Sequence, residues 1–189
     1  MVHIYAAPQK KSFFSRLSIT FILILINIVV FILFTILLNT NESYIDFIAI
    51  KPFNILHGDY LWTFLTSMFM HAGFFHLFAN MFSFFFIGGL VERILGRRRY
   101  FWFYIFAGLF AGLLFVLSAL LFSSELNTYA VGASGAIFGL LGLLMIITPN
   151  LPVYLMFIPI PVKMKYAGPG MLAILWIISL AGNIPIGNT

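Results

Sequence analysis

The sequence predicts an all-α polytopic membrane protein. Mean hydropathy is +1.09, and 62% of the 189 residues are hydrophobic while 8% are charged; a soluble globular domain carries roughly 25% charged residues. The apolar residues gather in stretches near the length a helix needs to cross a bilayer, about 20 residues. The basic residues sit between those stretches in an alternating pattern. The net charge of +5 is thereby tied to membrane-flanking segments, and no nucleic-acid partner is expected. Cysteine is absent, which excludes disulfides and thiolate metal sites.

Five spans are expected in order. Leu17 to Leu38 is the first, with Asn27 its one strongly polar residue. Its length, and the lack of a small-residue cleavage site after it, separate it from a removable signal peptide. Phe74 to Val91 is the second and contains His76, Asn80 and Ser83. Phe101 to Phe122 is the third and carries no charge. Val131 to Ile147 is the fourth, short and rich in glycine. Gly170 to Gly182 is the core of a fifth. Val153 to Pro161 is apolar but broken by Pro159 and Pro161, and reads as an interfacial or re-entrant segment.

Charge supports that order. Lys10, Lys11 and Arg16 precede span one, Arg93, Arg97, Arg98 and Arg99 follow span two, and Lys163 and Lys165 precede span five. Alternating spans put all of these on one side, with Lys51 on the other. By the positive-inside rule the N-terminus is cytoplasmic, in a multi-pass protein of the cell membrane. Residues 1–16 form a short basic tail, and residues 17–189 one membrane domain. The loop from Asn39 to about Met70 mixes Tyr44, Phe47, Phe53, Tyr60 and Trp62 with a few charges, a composition suited to the headgroup region.

Polar groups inside a membrane are expensive and face protein or water. His76 and Asn80 are four residues apart and share a helix face, which Ser83 extends. Two readings stand for this face: a polar seam joining neighbouring helices, or a pair of side-chain donors that could hold a developing oxyanion. His71 lies in the loop before the helix, beside Ala72-Gly73. His57 and His3 read as loop and tail residues. A metal site needs three or four converging ligands, and His71 and His76 have no carboxylate nearby; no metal or cofactor is expected.

Span four holds Val131-Gly-Ala-Ser-Gly-Ala-Ile-Phe-Gly-Leu-Leu-Gly142. Gly132, Gly135, Gly139 and Gly142 form one stripe, which suits close helix packing. Ser134 lies off that stripe by about 80° or more, counting ~100° per residue. Gly132 is then available for a second task, freeing the backbone just before the serine. Span three has its own G-x-x-x-G, Gly108 to Gly112, with no reactive residue beside it.

Together these motifs resemble the rhomboid family of intramembrane serine proteases. The pattern H-x-x-x-x-H-x-x-x-N is matched by His71, His76 and Asn80, and G-G-x-x-E-x-x-x-G by Gly88, Gly89, Glu92 and Gly96. The G-x-S-G motif is matched by Gly132, Ser134 and Gly135. The resemblance implies a rhomboid-like helical bundle with five of its six core helices present. It implies Ser134 as nucleophile, with His76, Asn80 and the backbone at Gly132–Ser134 supporting the oxyanion. His71 and Phe138 would be secondary, and Glu92 structural. The partner implied is a membrane-protein substrate with a transmembrane helix, cut within the lipid bilayer.

The chain departs from the family at three points. Trp62 is followed by Thr63 where arginine is common. Phe138 stands where tyrosine is frequent. No histidine follows His76, whereas the family's general base is a histidine in a sixth span. The 189 residues are therefore expected to stop before the last catalytic helix and to be inactive alone, their parent being a Ser-His dyad protease. The alternative is a catalytically dead rhomboid-like protein that binds membrane clients. A transporter would need intramembrane carboxylates; only Glu92 lies near a span, among arginines.

Overall fold

A computed structural model describes residues 17–122, 125–155 and 158–182. Helix α1 spans Ile19–Thr40. The first N–H groups of any helix lack partners within it, and here each finds one. Ser18, the N-cap, accepts from Phe21 N–H at 3.0 Å. The Glu92 carboxylate accepts from Ile19 N–H at 2.7 Å and Thr20 N–H at 2.9 Å. The Thr20 hydroxyl bridges Glu92, at 2.8 Å, and the Tyr100 hydroxyl, at 2.9 Å. Glu92 thus has the structural role expected of it, and its target is the start of α1.

That junction gives a stability prediction. Hydrogen bonds to charged groups contribute about 1.5–3 kcal/mol each, and orphaned buried N–H groups cost about 1–3 kcal/mol. Glu92→Ala is expected to destabilise by about 3 kcal/mol or more, lowering the unfolding midpoint by roughly 5–10 °C at this chain length. Glu92→Gln, which keeps an acceptor, should lose less than half of that. Tryptophan fluorescence during thermal unfolding in detergent is the measurement; an unchanged Glu92→Ala midpoint would refute the capping role.

After α1 the chain lies along the bundle end as short pieces. A 3₁₀ turn covers Glu42–Phe47, α2 covers Pro52–Leu56, α3 covers Thr63–Thr66, and a second 3₁₀ turn covers Ser67–Phe69. Phe47, Phe53, Leu56, Leu61 and Trp62 are exposed while Ile48 is buried, as an interfacial loop requires. Helices α4 (Phe74–Leu95) and α5 (Arg97–Leu121) follow, joined by Gly96 alone. Gly96 sits at φ +77°, a conformation glycine adopts freely, and the reversal gathers Arg93 and Arg97–Arg99 at one bundle end.

Helix α6, Ser134–Ile147, is the centre of the packing. Ile137, Leu140, Leu141 and Leu144 are fully buried. Its approach to α5 rests on two small-residue pairs. A Cβ at Gly135 would stand 2.5 Å from Ala111 Cβ, and one at Gly139 2.6 Å from Ala107 Cβ. Two expectations need correction here. Gly142 is not part of the stripe: a Cβ there would meet nothing within 4 Å. Gly108 and Gly112 of α5 do not receive another long helix; Gly108 accommodates Met68 from the second 3₁₀ turn, and Gly112 accommodates Ile50 with Phe64 of the short α3.

The segment read as interfacial or re-entrant is an antiparallel hairpin, β1 (Pro152–Leu155) with β2 (Ile158–Lys163). Proline disfavours helix, and a two-stranded ribbon offers only edge strands, where proline is tolerated. Met164 N–H donates to Leu151 O at 2.9 Å and starts α7, Met164–Gly182, which runs through Pro169. The fifth helix therefore begins six residues before its expected core. The expected tail at residues 1–16, and residues 183–189, lie outside the described residues.

The fold class is as expected, an integral all-α membrane protein with one small hairpin added. Among the described residues α1, α4 and α5 are long and apolar enough to cross a membrane. The lipid-facing side of α1 shows it directly: Val29, Ile32, Leu33 and Ile36 are more than half exposed, a surface that water would not tolerate over such an area.

Candidate active site

At 14 residues, α6 is about 21 Å long by its 1.5 Å rise, well short of the ~30 Å hydrocarbon core. The segment leading into it must descend into the protein, and irregular backbone at that depth is tolerated only when its polar groups are satisfied. They are. Ile50 and Ala130 exchange a pair of bonds, at 3.1 and 2.8 Å. Gly132 N–H donates to Ser67 O at 2.9 Å, and Ala133 N–H to His71 Nε2 at 3.5 Å. Ser134 then opens the helix, its own N–H among the first-turn groups that have no helical partner.

Gly132 sits at φ +119°, where a side chain is strained. It also leaves space that His76 uses. A Cβ on Gly132 would stand 2.9 Å from His76 Cε1, 3.0 Å from His76 Nε2 and 3.8 Å from Ser134 Oγ. The missing side chain therefore leaves room for an imidazole edge from α4 beside the hydroxyl at the start of α6. Of the expected site residues, Ser134, Gly132 and His76 are brought to one point.

Hydrogen bonding assigns the two ring tautomers. Ala72 N–H donates to His76 Nδ1 at 3.4 Å, so the proton of the neutral ring is on Nε2. That Nε2 is buried without a hydrogen-bond partner. An orphan donor of this kind calls for an explanation, and it faces the space beside Ser134. His71 packs edge-on against His76, ring centroids 5.2 Å apart. Its Nε2 accepts from Ala133, so it too is neutral with a blocked lone pair. Burial, reinforced by His76 and opposed by the Phe69 backbone, lowers the His71 pKa to about 3. Though in the loop before the helix, it is 1% exposed.

Asn80 is buried one turn further along α4, but its Nδ2 donates to His76 O at 2.9 Å. His76 is beside the serine, while one of the two Asn80 amide hydrogens serves its own helix. Phe138, one turn after Ser134, lines a cavity of about 280 Å³ together with Ser134, Gly132, Met68 and Gly112. Among the described residues no three histidine or acidic side chains converge as metal ligands.

Several contributors were invisible in the sequence. Ser67, Ala72 and Ala133 act through backbone groups. Tyr129 O–H donates to Asp46 Oδ1 at 2.9 Å, Asn54 Nδ2 to the same oxygen at 3.0 Å, and Lys51 Nζ lies 3.9 Å from it. Burial and this carboxylate push the Tyr129 pKa up to about 12, so its hydroxyl stays a donor. The cluster pins the descending segment to the interfacial loop three residues before Gly132. No motif announces it.

A family model described as the rhomboid domain matches residues 58–187. RHOMBOID-like protein 1 of Arabidopsis thaliana is 40% identical over 93 residues, 47% of this chain and 21% of its own length. YdcA of Bacillus subtilis (strain 168), named as a candidate rhomboid protease, is 32% identical over 124 residues, 66% of this chain and 59% of its own. Rhomboid-like protein 11, chloroplastic, of Arabidopsis thaliana is 31% identical over 134 residues, 70% of this chain and 41% of its own. The chain thus spans between a fifth and three-fifths of the length of these relatives.

Proposed function

The chain belongs to the rhomboid family, and from that premise we propose that it is the core of an intramembrane serine endopeptidase with Ser134 as nucleophile. The observation that carries the reading is the buried, unpartnered His76 Nε2–H facing Ser134 across the bare Cα of Gly132. In the reaction Ser134 Oγ bonds to a substrate carbonyl carbon and gives up its proton to a base. The oxyanion is held by His76 Nε2–H and the Ser134 N–H, preorganised donors of the kind that stabilise such intermediates. Collapse breaks the C–N bond, the base returns its proton to the amine, and water later releases the acyl group. The substrate is a transmembrane helix of another membrane protein, cut near its outer end. The N-terminus is cytoplasmic, in a cell membrane, by the charge pattern.

The base is the remaining question. A serine is a weak nucleophile without one. His71 and His76 each have a lone pair occupied by a backbone N–H. The exposed His57 donates Nδ1–H to Phe53 O at 2.7 Å and packs its ring on Phe53, centroids 4.3 Å apart, and it is not among the residues lining the cavity at Ser134. We therefore propose a dyad histidine other than these three, without which Ser134 is not an effective nucleophile. That one observation also favours the rival reading, a family member that binds membrane clients without cutting them.

A serine-directed fluorophosphonate probe separates the possibilities. Residues 1–189 should label at least 10³-fold more slowly than the full-length protein, since loss of one member of a nucleophile–base unit costs up to about 10⁶. Fast labelling of residues 1–189 that Ser134→Ala abolishes would overturn the claim of an outside base. A full-length protein that neither labels nor cleaves would support the client-binding reading.

A further inference from the structure

The start of α1 and the end of α4 enclose a groove of about 900 Å³, at the opposite end of the bundle from Ser134. Its walls change character along its length. Phe85 and Phe86, both more than half exposed, form the deep part with Phe21 and Leu90. Arg93 and Arg97 stand at the mouth. The eight steps from Phe85 to Arg93 correspond to about 12 Å of helix, the distance from headgroup level into the hydrocarbon. Gly89 forms part of the floor, and a Cβ there would meet nothing within 4 Å, so the space exists because that side chain is absent. Glu92 also lines the groove, but both its oxygens are bonded to the start of α1. Arg93 and Arg97 bring two formal positive charges to the mouth against the single negative charge of Glu92.

We infer that this groove is a binding site for one anionic phospholipid, its phosphate at Arg93 and Arg97 and an acyl chain along Phe85 and Phe86. A purely apolar groove would suit any helix or lipid tail. The graded wall, apolar within and cationic at headgroup depth, matches an amphiphile whose charge is at one end. Guanidinium groups pair well with phosphate oxygens, and each cation near an anionic membrane surface contributes roughly a factor of five in affinity. Arg98 and Arg99, on the same turn but not among the lining residues, provide an internal control of equal charge.

Native mass spectrometry of the delipidated 189-residue protein in detergent, titrated with phosphatidylglycerol or phosphatidylcholine, reads the site. The wild type should bind a first phosphatidylglycerol at least tenfold more tightly than phosphatidylcholine. Arg93→Gln with Arg97→Gln should abolish that preference. Gly89→Leu, which fills the floor and keeps every charge, should weaken phosphatidylglycerol binding at least tenfold, and Gly89→Val serves if the larger residue prevents folding. Arg98→Gln with Arg99→Gln should stay within twofold of the wild type. Equal loss in the control pair would mean diffuse attraction and overturn the site. So would unchanged binding on filling Gly89, or a dimer that Gly89→Leu disrupts without any lipid preference.

Discussion

A Gly132→Ala protein is expected to lose cleavage of a membrane-spanning reporter as completely as Ser134→Ala does, while remaining folded. Two effects add at this position. The alanine must hold φ near +119°, a strain of about 1–3 kcal/mol. Its methyl must also displace the His76 ring, whose nearest atom would be 2.9 Å away, at an overpacking cost of about 1–3 kcal/mol. The chain relieves both by shifting the loop, and misplacing reacting groups by about 1 Å already costs about 10² in rate. Here the shift moves the nucleophile and an oxyanion donor together, so a loss of 10³ or more is expected. The unfolding midpoint should fall by only a few degrees. Cleavage above a tenth of wild type would show that the imidazole does not work from beside Gly132.

The second large effect is on His76. An oxyanion donor acts in the transition state and hardly at all in the ground state. His76→Ala should therefore lower kcat by about 10²–10³ with little change in KM. Asn80→Ala should cost about tenfold or less, because one of its amide hydrogens already serves the His76 carbonyl. Steady-state kinetics of the full-length protein in proteoliposomes measures both. If Asn80→Ala proved as damaging as His76→Ala, or if the His76 loss fell mainly on KM, the assignment of His76 Nε2 as the oxyanion donor would fail.

What the sequence disclosed, and what it concealed, follows from the range of the forces involved. The spans were legible because hydropathy is a property of each stretch by itself. The placing of Gly132 beside Ser134 was legible because a turn before a helix is local. His76 was legible as a buried polar residue, but not its tautomer, which depends on the Ala72 N–H. For Asn80 the shared helix face was legible, but not that one of its amide hydrogens would bond its own backbone. The Tyr129–Asp46 contact joins residues 83 apart, and periodicity carries no information at that separation. Gly142 satisfied the spacing of the stripe but lies beyond the stretch where α5 is close. The hairpin at Pro152–Lys163 was half legible: prolines excluded a helix without saying that the two apolar arms would pair with each other.

The Glu92 junction bears on how the protein is made. Ile19 and Thr20 wait for a partner 72 to 73 residues later in the chain, and Thr20 for a tyrosine 80 residues later. At a synthesis rate of about 5–20 residues per second, the first span sits in the membrane for roughly 4–16 s before its leading amides can be sealed. Through that interval its insertion depends on hydrophobicity alone, which α1 has in abundance. The carboxylate then arrives on the second span as a latch, fixing the depth of a segment inserted seconds before. The first helix to enter the membrane is thereby locked only after the second has followed it.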